Sequence, residues 1–206
     1  LEGKMDKGEK ARKFLEMSDY DLAHELLTRD LLYYKIPPEQ VEHYVNTALT
    51  IGSDMARACP SKDIYKLCAD NGIAIEEMST KGKYFGVRMR AEIHIRDEET
   101  KIRLYKQSIE DIARSLREFF PEGQRLSYDA INKMHLAHEF FHYIEERDNV
   151  KVNEMLPQVV TFSFLGYHRR ATILTLSEVA AHSFSKELLK LPHYPYLYDK
   201  LYALSL

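Results

Sequence analysis

Tryptophan is absent from this 206-residue chain, and cysteine occurs only at Cys59 and Cys68. Two thiols without paired Cys-x-x-Cys spacing exclude a disulfide framework and a zinc ribbon. Eight Gly and seven Pro are too few for a collagen-like or linker-like polymer. No apolar run approaches the roughly 20 residues that span a bilayer; the stretch 159–167 is short and broken by Thr161 and Ser163. Charge of one sign is not in excess either. With 29 Lys+Arg against 32 Asp+Glu the formal net charge is −3, so no whole-molecule field draws the chain to phosphate backbones or anionic lipid. We therefore predict no direct nucleic-acid partner and no membrane partner. The N-terminal stretch LEGKMDKGEKARKF is charged where a secretory signal is apolar, which predicts a cytoplasmic protein, with residues 1–4 reading as an expression remnant ahead of Met5.

What is present is ordinary globular material: 45% hydrophobic residues, 14 Tyr and 9 Phe, enough for one buried core. Apolar positions at three- and four-residue steps (Phe14, Leu15, Leu22, Leu26, Leu27, Leu31) predict helices over residues 10–60, interrupted at Pro37-Pro38, where a new helix starts. None of this reads as a helix-turn-helix. Residues 1–60 form a helical region packed on the same core as a second segment, 61–206. A short helix over 64–71 stops at Asn71-Gly72. From Gly86 to Arg96 the pattern changes to strict alternation, with Val87, Met89, Ala91, Ile93 and Ile95 on one face and Arg88, Arg90, Glu92, His94 and Arg96 on the other. That is a half-buried strand, and the charged turn 97–99 joins it to a second strand through Ile102 and Leu104. The Arg-rich outer face reads as a solvated face rather than a nucleic-acid surface. The expected fold class is α+β, mainly helical with a small antiparallel β-sheet.

A helix over 108–120 precedes one that Ser127 or Asp129 caps and that runs from Tyr128 to Arg147. Inside the latter lies His138-Glu139-Phe140-Phe141-His142. Residues i and i+4 project from one helix face a single turn apart, so His138 and His142 can hold one metal ion at about 2.0–2.1 Å. Glu139 sits about 100° further round, away from ligation but within reach of a water on that metal, which makes it the candidate general base. The third ligand we expect is Glu178, at the start of a second helical pattern running through Phe184, Leu188 and Leu189 to Pro192. Small Ala180 and Ala181 would let that helix approach the metal-bearing one. Thr175-Leu-Ser-Glu178 also matches a capping box, in which Glu178 would serve only the helix start.

The residues Leu136-Ala137-His138-Glu139-Phe140-Phe141-His142, with Glu178-x-x-Ala181-x-x-Phe184 and Leu188-Leu189 leading to Pro192, resemble the ImmA/IrrE family of zinc metallopeptidases, whose core reads Ala-His-Glu-Leu-Gly-His. The similarity covers residues 40–195. It implies a gluzincin-like, zincin-type α+β fold, Zn2+ on His138, His142 and Glu178, Glu139 as catalytic base, and a protein or peptide substrate such as a regulatory protein. The alternative it leaves is a non-proteolytic regulatory or interaction protein on the same fold. The chain departs from the family in Phe141, which stands where Gly is usual, in the longer segment 143–177, and in Pro192, one position late.

Several further residues are candidates for support of the metal or of a developing oxyanion. His135 shares the face of His138 and His142, where it either supports a ligand or, one turn outward, stands in solvent or a simple hydrogen bond. His182 lies one turn after Glu178. Tyr143, Tyr167 and His168 are of the type that donates to an oxyanion. The Tyr-rich C-terminus from Tyr194 onward reads either as a helix docked on the core or as an exposed surface for a homodimer.

Overall fold

The computed structural model describes residues 6–80, 82–84, 87–96 and 99–206, with the backbone alone at residues 83, 84, 87 and 88. Residues 1–5, Gly86, the side chains of Val87 and Arg88, and Asp97 and Glu98 of the expected turn lie outside the described residues. The helices are α1 (Lys7–Leu15), α2 (Asp19–Leu27), α3 (Val41–Ala58), α4 (Ile64–Asp70), α5 (Lys106–Phe119), α6 (Tyr128–Arg147), α7 (Val152–Met155), α8 (Thr175–Leu189) and α9 (Tyr196–Ser205). The strands are β1 (Ile73–Met78), β2 (Gly82–Tyr84), β3 (Val87–Met89), β4 (Ala91–Arg96), β5 (Glu99–Tyr105), β6 (Val159–Phe164) and β7 (Tyr167–Ala171).

Local chemistry sets several of these boundaries. Ser18 and Asp21 form a reciprocal capping box on α2, Asp63 accepts the first free N–H groups of α4, and Ser127 accepts from Ala130 N–H at the start of α6. Pro38 opens a 3-10 turn, Pro38–Gln40, that feeds directly into α3.

The main sheet has the order β1-β5-β4. β4 runs antiparallel to β5, as the alternation predicts, but β1 pairs parallel to β5, so the sheet is mixed rather than antiparallel. The expected single strand through 86–96 breaks at Arg90, whose carbonyl accepts the N–H of Tyr105. β3 then pairs with β2 and β4 with β5. The outer face of the sheet is a charge-balanced lattice. Arg103 and Lys101 of β5 bond Glu76 of β1, Glu92 takes the Tyr105 hydroxyl and His94, and Arg90 pairs with Asp199 of α9.

Ile73, Ile102 and Leu104 face inward, and α6 packs across β4 and β5. Helix α8 lies against both α3 and α6. Its closest backbone approach is to α3, where a Cβ on Gly52 would stand 2.1 Å from the carbonyl oxygen of Ala180. Ala180 therefore serves the α3 contact, whereas the sequence suggested an approach to α6. Phe141 is fully buried against Phe184, with ring centroids 5.5 Å apart. The Tyr-rich C-terminus docks inward: Tyr194, Tyr196, Tyr198, Leu201 and Tyr202 are buried where α9 packs on α5, α1 and α2. The exposed-surface alternative fails because these rings are consumed by the chain's own core.

Candidate metal centre

Helix α6 carries His138 and His142 one turn apart, and the first turn of α8 brings Glu178 across to them. His138 Nε2 lies 3.2 Å from His142 Nε2 and 3.1 Å from Glu178 Oε2, and His142 Nε2 lies 3.4 Å from Glu178 Oε1. One ligand atom from each of the three residues can be chosen so that all lie within 4.8 Å of one another. Tetrahedral coordination at 2.0–2.1 Å separates adjacent ligand atoms by about 3.3–3.4 Å. The edges to Glu178 are made by different oxygens, Oε2 to His138 and Oε1 to His142, so the carboxylate spans both rings near that spacing, and the donor set of two imidazoles and a carboxylate is one that zinc takes in hydrolytic centres. The Glu178 side chain is 49% exposed, so solvent reaches the carboxylate side of the cluster.

The capping-box alternative for Glu178 is not formed. Leu174 occupies the cap position with no side-chain hydrogen bond, and Asp30 accepts the N–H of Thr175 instead. Glu178 is left free to face the rings.

Electrostatics in the metal-free cluster follow from this packing. Burial opposes charge on His142, but hydrogen bonds to Glu145 and Glu178 outweigh it and push the ring up to about 10. Burial likewise opposes ionisation of Glu178, yet the hydrogen bonds of His138 and His142 hold its carboxyl well below the usual carboxylate range. The two imidazole Nε2 atoms and the Glu178 carboxylate thus face one another as paired opposite charges.

Glu145, one turn beyond His142 on the buried face, is the residue in contact with the cluster that the sequence alone did not single out. It is only 4% exposed. Its Oε2 takes His142 Nδ1 at 3.0 Å, and its Oε1 accepts the N–H of Val152 and the hydroxyl of Ser177, each at 2.9 Å. This fixes the His142 ring with Nε2 toward the cluster and ties α6 to the first turns of α7 and α8. The available signal was a carboxylate three residues after a ligand histidine, in register with buried Phe141 and Ile144.

Glu139 is half-buried. Burial raises its pKa against the lowering influence of His138 and His142. Helix α6, which carries Glu139, packs on β4, the edge strand that holds Ile93.

His135 is not a solvent-exposed or simply bonded histidine. Its Nε2 is buried without a hydrogen-bond partner among the described residues, and burial, with nearby Arg90, keeps the ring neutral. His182 is also held neutral by burial, with its ring edge-on to His138 at 4.8 Å and its Nδ1 buried and unpartnered. It therefore packs on the His138 ring. Tyr143 turns away to pack on Phe140 and Arg147. Tyr167 and His168 lie on the β6–β7 hairpin, where Tyr167 is 65% exposed and His168 bonds Ser163. The structure does not bring these three together with the His–Glu cluster.

Comparison with protein-family models, with curated proteins and with solved structures yields no match.

Proposed function

We propose that this chain is a zinc-dependent endopeptidase with a zincin-like arrangement, in which His138, His142 and Glu178 hold the metal and Glu139 is the general base. The observation that carries this reading is the convergence of His138 Nε2, His142 Nε2 and Glu178 at edges of 3.1–3.4 Å, with one side open. Zinc bound there would supply Lewis acidity, acidifying a water and polarising a carbonyl. The chain supplies the rest. Glu139, with its pKa raised by burial, takes a proton from the attacking water and returns it to the departing amine nitrogen. The β4 edge beside Glu139 offers main-chain groups on which an extended peptide can lie, including the segment Ile93-His94-Ile95. Glu145 holds the His142 tautomer, as above. The resemblance of the motif residues to the ImmA/IrrE metallopeptidases supports the same assignment and points to a regulatory protein as substrate.

The test is hydrolysis of an unfolded protein such as casein by wild type and Glu139→Gln at matched zinc content. Loss of roughly 100-fold or more in rate in the variant is expected for removal of a general base. Equal rates would remove Glu139 from the chemistry. A protein that retains stoichiometric zinc yet cleaves nothing in either form would favour the non-proteolytic alternative.

A further inference from the structure

We propose that the β6–β7 hairpin is a membrane-docking arm that seats its apolar tip in the interface of an anionic bilayer. Among the described residues β6 and β7 pair only with each other, and an isolated two-stranded ribbon is marginal in water unless something covers it. Phe164 stands opposite Tyr167 and Phe162 opposite Arg169, so the three aromatic rings share one face. Phe162 and Phe164 are 54% and 61% exposed and stack at 6.4 Å.

The turn itself is informative. Leu165 and Gly166 both have positive φ, 44° and 83°. A two-residue hairpin turn of this kind favours Asn or Asp at its first position, because left-handed backbone crowds other side chains. Here that position holds leucine, 91% exposed. Among the described residues this side chain has nothing to pack on, so neither backbone preference nor the core accounts for it; an apolar medium would.

What lies behind the tip identifies the occupant. His168, Arg169 and Arg170 follow on β7, and no Asp or Glu occurs between Glu154 and Glu178. The 3-10 turn Tyr33–Lys35 packs on β6 and adds Tyr34, 73% exposed, and Lys35. The Asp30 carboxylate in that corner is committed to the N–H groups of Leu32 and Thr175. An apolar tip, an aromatic flank and then cations that form no ion pair among the described residues reproduces the layering of a bilayer interface, from acyl boundary to anionic headgroup. A single-stranded nucleic acid would use the rings and cations but not the leucine tip, and a second copy would set like charges against each other. The patch is local, which is why a net charge of −3 over the whole chain does not reveal it.

Because the chain has no tryptophan, Leu165→Trp installs a single fluorescent reporter at the tip. With vesicles of phosphatidylcholine containing about 30% phosphatidylserine, at low salt, its emission should shift to the blue and be quenched by brominated acyl chains. Wild type should co-sediment with these vesicles about tenfold more than with pure phosphatidylcholine. The double variant Phe164→Ser/Leu165→Ser should lose about tenfold, and Arg169→Gln/Arg170→Gln should abolish the preference for anionic lipid. Circular dichroism of each variant checks that the fold is kept. Absence of vesicle binding by wild type overturns the proposal, as does binding that ignores lipid charge or survives the serine substitutions in folded protein. So does finding that those substitutions instead dissolve a dimer or release an oligonucleotide or an acidic peptide, with vesicle binding unchanged.

Discussion

Replacing Glu145 by glutamine keeps its volume and changes one acceptor into a donor, which makes it a sharp probe of how the centre is held. With the amide oxygen at the Oε1 position, the contacts to Val152 N–H and Ser177 hydroxyl, both 2.9 Å, survive. The amide nitrogen then faces His142 Nδ1, which the carboxylate meets at 3.0 Å in wild type. Two donors cannot share that contact, so the ring takes the tautomer with its proton on Nε2, aimed into the cluster. Loss of such an orienting carboxylate lowers metal affinity by about 10–100-fold, or roughly 1.4–2.8 kcal/mol. In metal-free protein, loss of one hydrogen bond to a charged partner costs about 1.5–3 kcal/mol, which for a chain of this size lowers Tm by roughly 3–12 °C. Competition with a chromophoric zinc chelator gives the first number and calorimetry the second. Wild-type zinc affinity in Glu145→Gln would refute the argument that Glu145 sets the His142 ring.

Other consequences follow from the same packing. Gly52→Ala should destabilise the protein by about 1–3 kcal/mol, read in a denaturant titration, because its new Cβ would meet the Ala180 carbonyl at 2.1 Å; it should also weaken zinc binding, since Glu178 rides on the displaced helix, and a neutral result would show that α3 and α8 separate freely. Zinc binding at pH 7 should release about one proton, since His142 stays protonated up to about 10; calorimetry in two buffers of different ionisation enthalpy measures it, and zero release would contradict the assigned ligand. Because the folded His142 value lies above its ordinary 6.5, its contribution to metal-free stability is full below about 6.5 and is lost as pH rises through about 10. Cys68, buried and pushed up to about 12, should resist thiol reagents at pH 8 until the chain unfolds, and rapid labelling of native protein would show that its core opens.

Legibility in the sequence tracked how local the determining interactions are. Helix α6 was readable to its ends because Ser127 caps it and its apolar period runs unbroken, and the i, i+4 spacing of His138 and His142 is a property of that one helix. The start of α8 was less legible: the helix begins at Thr175, held by Asp30 from far earlier in the chain, and no local pattern reveals such a contact. β1 was missed because Ile73 and Ile75 give way to Glu76 and Glu77, and its parallel partner β5 lies beyond an intervening hairpin. β6 and β7 lack an alternating buried face, since their aromatic side chains point to solvent. Glu145 was passed over because a glutamate near a helix end reads as surface, whereas Val152 and Ser177, which make it a buried acceptor, come from later elements.

The central claim is that one zinc ion sits between α6 and α8. A crystal of the zinc-loaded protein measured on both sides of the zinc absorption edge tests it directly. The account predicts one anomalous peak at about 2.0–2.2 Å from His138 Nε2, His142 Nε2 and a Glu178 carboxylate oxygen, with a remaining position open to solvent. No peak at that point, or a peak bound by other residues while the two rings remain paired to Glu178 alone, would contradict it.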